Sequence, residues 1–449
     1  MHQHSLRQLS RTAALFLSTL GLVASAAAMA DDVWPSWRGP HDDGRASAGD
    51  PPILWSETEN VRWKVATPGL GTSTPVVWGD RIYLNTAIDT GEPGSAAASA
   101  APAAEGGRGR GGPPSTVYRF VVMALDLDTG AVVWERTARE AQPHEGTHPD
   151  GTFASSSPVL DAQRVYVSFG SHGVYAFTHD GELVWERDLG DMTTRLGFGE
   201  GASPALADGL LVVNWDHEGE SFIVALDAAT GEERWRTARD EQTSWTTPLI
   251  VEHGGRRQVV VSATSKVRSY DLATGELIWE TPGMTLNAIP SPVTADGVVY
   301  LMSGFRGNSA MAVDLAKAKG DIGGSDAILW SLDRDTPYVP SPLLYGGILY
   351  FLKSNNGLLT AVEAATGKVL YGPERLDAVR NIYASPVGVA GRVYLLGRDG
   401  GAVVLKHGPS LEVLAENSLD DAFDASPVVA GDRLLLRGRQ HLYCLEAGG

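Results

Sequence analysis

Cysteine is almost missing: Cys444 is the only one in 449 residues. A lone thiol excludes an intramolecular disulfide and Cys-x-x-Cys-His haem attachment, so stability has to come from packing. Basic excess is missing too, with 36 Lys and Arg against 54 Asp and Glu. That balance disfavours binding to nucleic acid or to anionic lipid surfaces. Long apolar runs are also absent. The best one, Ala13 to Ala24, is too short to span a bilayer, which needs ~20 helical residues.

That run follows Arg7 and Arg11 and precedes Ala28-Met29-Ala30, the pattern of a secretory leader over residues 1–30. Its removal leaves 34 basic and 54 acidic side chains, a formal charge of −20. No cysteine stands near the cleavage point to accept a lipid, so the expected location is periplasmic or secreted, without a transmembrane segment.

Turn chemistry is plentiful, with 52 glycines and 25 prolines, and it recurs in register. Ile223 to Trp235 contains a half-buried strand, an Asp-x-x-Thr-Gly turn and a second strand ending in tryptophan. Good copies run Ala124 to Trp134 and Ser269 to Trp279. Ala176 to Trp185 is one residue shorter, Ala312 to Trp330 is stretched by a glycine-rich insertion, and Ala361 to Tyr371 changes the aromatic.

A second repeat is a Ser/Thr-Pro pair before an apolar strand, with prolines at 75, 158, 204, 248, 292, 342, 386 and 427. Most intervals are 41–50 residues, the period of a four-stranded propeller blade. The eighth copy ends at Leu442 to Leu445 without a tryptophan strand, and Val61 to Val65 is an orphan of that type. The expectation is an all-β, eight-bladed propeller of four-stranded blades over residues 60–449, closed by its N-terminal strand. Residues 31–59, with Trp34 and Trp37, read as a capping segment packed on the ring. Residues 89–115, rich in Ala, Gly, Pro and Ser, read as an unstructured insertion within blade one.

The Ala-x-Asp-x-x-Thr-Gly-x-x-x-Trp pattern resembles the tryptophan-docking repeat of pyrroloquinoline-quinone (PQQ) proteins, and Trp34 to Pro40 resembles the start of PQQ-binding-like β-propeller repeat proteins. The same repeats occur in the non-catalytic propeller lipoprotein of outer-membrane β-barrel assembly. By that resemblance Trp134, Trp185, Trp235, Trp279 and Trp330 are wedges between blades, each worth about 3–5 kcal/mol. The family's alcohol dehydrogenases cover one face of the quinone with a vicinal disulfide, which Cys444 alone cannot supply.

Chemistry is therefore sought outside the repeats. His144-Glu145-Gly146-Thr147-His148 matches a zinc-protease motif, but the flanking Pro143 and Pro149 and the internal Gly146 argue against the helix that motif needs. Ser155-Ser156-Ser157 lacks a nucleophile elbow. The Arg-Gly tract at 106–112 holds only two arginines.

The loops leading into the innermost strands differ from blade to blade. They contribute Phe153, Arg195, Glu200, Trp245, Asn287, Tyr338, Asn381, Tyr383 and Asp424. Aromatic faces, amides and a few charges around a channel mouth suit a protein partner or a small molecule. Arg195, Glu200, Trp245, Asn287, Tyr338, Asn381 and Asp424 are the cofactor-site candidates. Glu200, Asn287 and Asp424 offer oxygens of the kind calcium prefers, so PQQ with calcium is the cofactor to consider. No catalytic or metal-ligating set is assigned.

The reading is a monomeric, non-catalytic binding or scaffold propeller. A divergent PQQ-dependent oxidoreductase and an outer-membrane assembly scaffold are the alternatives.

Overall fold

A computed structural model describes residues 33–95 and 112–449. The leader at 1–30 and the Arg-Gly tract lie outside the described residues, apart from Gly112. The chain forms eight sheets in chain order, each built on four antiparallel strands, the expected ring of eight four-stranded blades. The middle strands of each blade, such as Leu210–Trp215 and Phe222–Asp227, are buried on both faces because a neighbouring blade covers each side. The outer strand Glu233–Ala238 buries Trp235 and exposes most of its other residues. Hydrophobic clusters accordingly lie between blades, as where Val122 and Trp134 of blade one meet Val167 and Phe177 of blade two.

Val61–Ala66 pairs with His441–Leu445, so the chain start supplies the outer strand of blade eight and leaves no open seam. In every blade the outer strand carries a bulge one residue before the tryptophan position. A bulge adds twist and re-aims the following side chain. Here it turns the indole toward the next blade.

Trp63, Trp134, Trp185, Trp235 and Trp330 each donate Nε1–H to a backbone carbonyl of the next blade at 2.8–3.1 Å. Each ring lies on the Thr-Gly or Asp-Gly turn of that blade. A Cβ at Gly130, Gly181, Gly231, Gly275 or Gly367 would come within 2.7 Å of the docked indole. These glycines also have φ of +69° to +82°. Turn geometry and the docked ring therefore demand the same residue.

Blade six places Tyr371 at the tryptophan position, and two further departures from this scheme are compensated. Trp279 instead bonds Gln258 Oε1 in its own blade. The glycine-rich insertion of blade five docks there, with Gly320–Asp321 pairing in parallel as a fifth strand of blade four. Blade seven has Ala415 at the tryptophan position. Trp55 of the N-terminal segment fills the space, stacked on Tyr394 at 6.4 Å, close to the 6.0–6.1 Å of the tyrosine–tryptophan pairs in blades one, two and five. Cys444 lies opposite Trp63, where most blades place alanine or serine, and burial pushes its thiol up to about 12.

The Ser/Thr-Pro pairs build the inner wall. The backbone N–H of Thr74 donates to Ser157 Oγ, and the same bond continues through Ser203, Thr247, Ser291, Ser341, Ser385 and Ser426 back to Thr74 Oγ1. All eight bonds measure 2.9–3.2 Å. Proline holds the residue before it extended, so that residue's N–H points sideways at the neighbouring blade.

Below this ring the N-terminal segment plugs the channel. Val33–Trp34 pairs with Val76–Trp78, Pro35 accepts from Leu160 N–H, and the buried Arg38 donates to the Pro342 and Pro386 carbonyls. The segment then follows blade seven outward, where Arg45 bridges Gly388, Tyr394 donates to the Pro51 carbonyl and Asn417 to that of Ile53. The blade-one insertion begins later than composition predicts. Its flanking strands, Arg81–Pro93 and Thr116–Asp126, stay laddered out to the Pro93–Thr116 pair.

Two stability effects follow. Ser203→Ala leaves the buried Ser157 N–H unpaired and should cost about 1–3 kcal/mol in urea denaturation, with Ser203→Thr close to wild type. Trp55→Ala, which opens the interface of blades seven and eight, should cost about 3–5 kcal/mol.

Candidate functional site

Above the hydroxyl ring the lead-in loops enclose a recess of about 470 Å³. Trp37 reaches up from the plug to line its bottom, and Phe198, Trp245, Phe305, Tyr338 and Tyr383 wall it. Phe305 and Tyr338 stack at 4.7 Å. The recess opens at the loop face and the N-terminal segment closes it at the other.

Its charges are spent largely on one another. The loop leading into blade two carries Asp150 across to blade seven, where it meets Arg398 and accepts from the Tyr383 hydroxyl at 2.9 Å. The Arg398 guanidinium also pairs with Asp424 at 2.5 Å and lies 3.7 Å over the Tyr383 ring. Arg439 binds the other Asp424 oxygen at 2.9 Å. Burial works against ionisation of Asp150, yet the Tyr383 hydroxyl and Arg398 hold its carboxyl below the ordinary range. Burial, reinforced by the bond to Asp150, pushes the Tyr383 phenol up to about 12.

Of the residues singled out from sequence, Glu200, Trp245, Tyr338, Tyr383 and Asp424 line the recess. Arg195 turns to Gln242 instead. Asn287 is buried behind the Tyr338 hydroxyl, with φ of +56°. Asn381 is exposed in a turn with φ of +48°. Phe153 packs edge-on against Tyr118. Glu200, Asn287 and Asp424 therefore form no calcium shell: Asn287 stays outside the recess and Asp424 is held by two arginines.

Asp150, Arg398, Arg439 and Phe305 escaped the sequence reading. Arg398 and Arg439 sit in Arg-Asp-Gly and Gly-Arg-Gln turns between the second and third strands, where the sequence signals only a turn. Trp37 serves as cap and as floor.

Beside the recess, between blades two and three, lies a smaller cavity of about 40 Å³. The His-Glu-x-x-His stretch reaches it in irregular backbone, not on a helix. His144 Nε2 meets the Met192 carbonyl at 2.7 Å, whereas His148 turns to Asp150, so the two imidazoles do not share a face. Glu145 accepts from Thr194 N–H and Oγ–H, and Glu200 from Ser171 N–H and Oγ–H. Burial pushes the Glu200 carboxyl up to about 7 despite the two Ser171 bonds. Of the serine triplet, Ser157 belongs to the hydroxyl ring, Ser155 donates to the Thr152 carbonyl, and Ser156 Oγ has no partner among the described residues.

His172 lines the same cavity, stacked on Phe120 at 4.1 Å. Burial, with the charge of His144 second, lowers its pKa from 6.5 to about 4. Between these values the unfolded chain binds a proton at His172 that the folded chain refuses, so His172 contributes a loss of stability as the pH drops from 6.5 toward 4. Glu200, which holds its proton more tightly in the folded chain, opposes that loss. His172→Gln should shift the slope of the urea midpoint against pH toward greater relative stability at the acid end; an unchanged slope would contradict the assignment.

The sequence profile of the family described as outer membrane protein assembly factor BamB matches residues 118–282 and 218–448. The BamB of Yersinia pestis is 26% identical over 344 residues, covering 71% of this chain and 78% of that protein. A polyvinylalcohol dehydrogenase of Sphingopyxis sp. (strain 113P3) is 25% identical over 256 residues, 45% of this chain and 38% of that protein. Among solved structures, BamB from Moraxella catarrhalis aligns with a TM-score of 0.53 at 14% identity, over 73% of this chain and 89% of that one. The quinohemoprotein alcohol dehydrogenase ADHIIG of Pseudomonas putida HK5 aligns with a TM-score of 0.56 at 11% identity, over 95% and 82%. The structural likenesses establish the shared propeller fold.

Proposed function

The chain belongs to the family described as outer membrane protein assembly factor BamB, a group of PQQ-like repeat propellers, and on that premise we propose that it is a non-catalytic scaffold of the cell envelope. It takes a protein partner at the channel mouth. The observation that carries this reading is the recess of about 470 Å³, aromatic-walled and open at the loop face, whose Asp150 and Asp424 are already held by Arg398 and Arg439. Aromatic side chains around a desolvated pocket are the residue types that dominate binding energy at protein interfaces. Carboxylates held by arginine are poor general bases, because the pairing stabilises the ionised form. The leader read from residues 1–30 supports a periplasmic site of action. No helix among the described residues is long and apolar enough to cross a membrane.

The partner should co-purify from envelope fractions with the outer-membrane protein assembly machinery. A Trp245→Ala/Tyr383→Ala double variant should weaken recovery about tenfold or more, while Val132→Asp on the outer rim leaves it unchanged. Absence of any reproducible assembly component would sink the scaffold reading. Calorimetry with PQQ and calcium should give no binding heat, and dye-linked alcohol or sugar oxidation should be absent. PQQ-dependent turnover would make the protein an oxidoreductase instead.

A further inference from the structure

His144, Glu145 and Glu200 come from the loops leading into blades two and three, yet one ligand atom from each lies within 4.8 Å of the others. Neither carboxylate has a salt-bridge partner within 4 Å among the described residues, in contrast to Asp150 and Asp424 a short way across the mouth. When the two recessed carboxylates ionise, no cationic side chain among the described residues is paired with them.

Three further features prepare this place for an occupant. The Met192 carbonyl can only accept, so His144 Nε2 donates to it, and in the neutral imidazole this tautomer leaves Nδ1 as the ligating nitrogen. Thr194 and Ser171 grip Glu145 and Glu200 through backbone N–H and hydroxyl donors, which fix the direction of each carboxylate. Gly170 clears the space, since a Cβ there would overlap the Glu200 carboxylate.

An independent observation comes from the uncharged lining. Asn214 and Ser156 are 2% and 6% exposed, and both border the same cavity. Asn214 Oδ1 and Ser156 Oγ have no hydrogen-bond partner among the described residues. Buried polar atoms without a partner are costly, and in native proteins they point to a bound water or ion. The cavity of about 40 Å³ suits an ion with a water and is too small for an organic ligand.

We propose that His144, Glu145 and Glu200 bind one divalent transition-metal ion, with the open coordination position facing the cavity lined by Ser156 and Asn214. One imidazole and two carboxylates suit zinc, manganese or iron(II), whereas calcium and magnesium favour oxygen-only shells with more ligands. The ion clamps the loop that carries Asp150 to the blade-three loop that carries Glu200. It thereby sets the position from which Asp150 reaches Arg398. The assignment is independent of what the mouth binds.

The test uses the full chain, stripped with EDTA and dialysed in parallel against zinc, manganese or calcium chloride. Metal content by mass spectrometry is expected to be one zinc or manganese per chain and no calcium. Cobalt(II) should give visible d–d bands shaped by nitrogen ligation. Glu200→Gln and His144→Ala should each weaken zinc binding tenfold or more while melting like the wild-type protein in EDTA. No retained metal in the wild type would overturn the proposal, as would zinc bound equally by both variants, which would place it on other histidines. If a variant fails to fold, the wild-type cobalt spectrum decides, and loss of the nitrogen signature there rejects the site.

Discussion

Everything in this propeller hangs on the circle of eight bonds in which one blade's backbone N–H meets the serine or threonine hydroxyl of the next. A ring of blades has no central core, so the innermost strands would face a channel with a lateral N–H on each blade and nothing to receive it. The hydroxyl one blade on receives it. Each such bond is worth only about 0.5–1.5 kcal/mol net, but leaving the buried donor unmet would cost more. Because the circle closes, no blade can tilt without straining two bonds. The rim above it therefore stands on a rigid base.

The outer ring of contacts is looser and tolerates substitution. An indole on a glycine turn joins five blade pairs, and two of the other three interfaces are repaired by other means: the blade-five insertion covers Trp279, and Trp55 stands in where blade seven has only Ala415, while blade six places Tyr371 at the tryptophan position. The second repair explains why a segment ahead of the repeats is integral to the fold. It plugs the channel with Arg38, supplies Trp55 to one interface and then delivers the closing strand. Cys444 is explained in the same terms, as a small side chain opposite Trp63 and not as a reactive thiol.

Function is carried by what the repeats leave free. The lead-in loops vary in length and composition because the circle beneath them fixes the strands without their help. The loop from His144 to Ser155 uses that freedom most fully. One end joins the carboxylate cluster between blades two and three, and Asp150 crosses the mouth to Arg398. Geometry at the cluster and geometry at the mouth are therefore linked through a single stretch of chain.

Periodicity alone determined the number of blades, the outer position of the tryptophans and closure by Val61 to Val65, because each repeat cannot bury its faces except against another copy. It also led to Glu200, Trp245, Tyr338, Tyr383 and Asp424, which line the recess, since any loop before an innermost strand must border the channel. It misplaced Arg195, Asn287 and Asn381, for which the direction of a single turn decides between recess, interior and solvent. Arg398 and Arg439 were invisible, because they reach the mouth from turns that look like any other hairpin. That Asp150 should meet Arg398 across the ring, or Glu200 meet His144 beside it, depends on how the blades close in three dimensions. Pairings between residues so far apart in the chain are set by the ring's curvature, which no local pattern encodes.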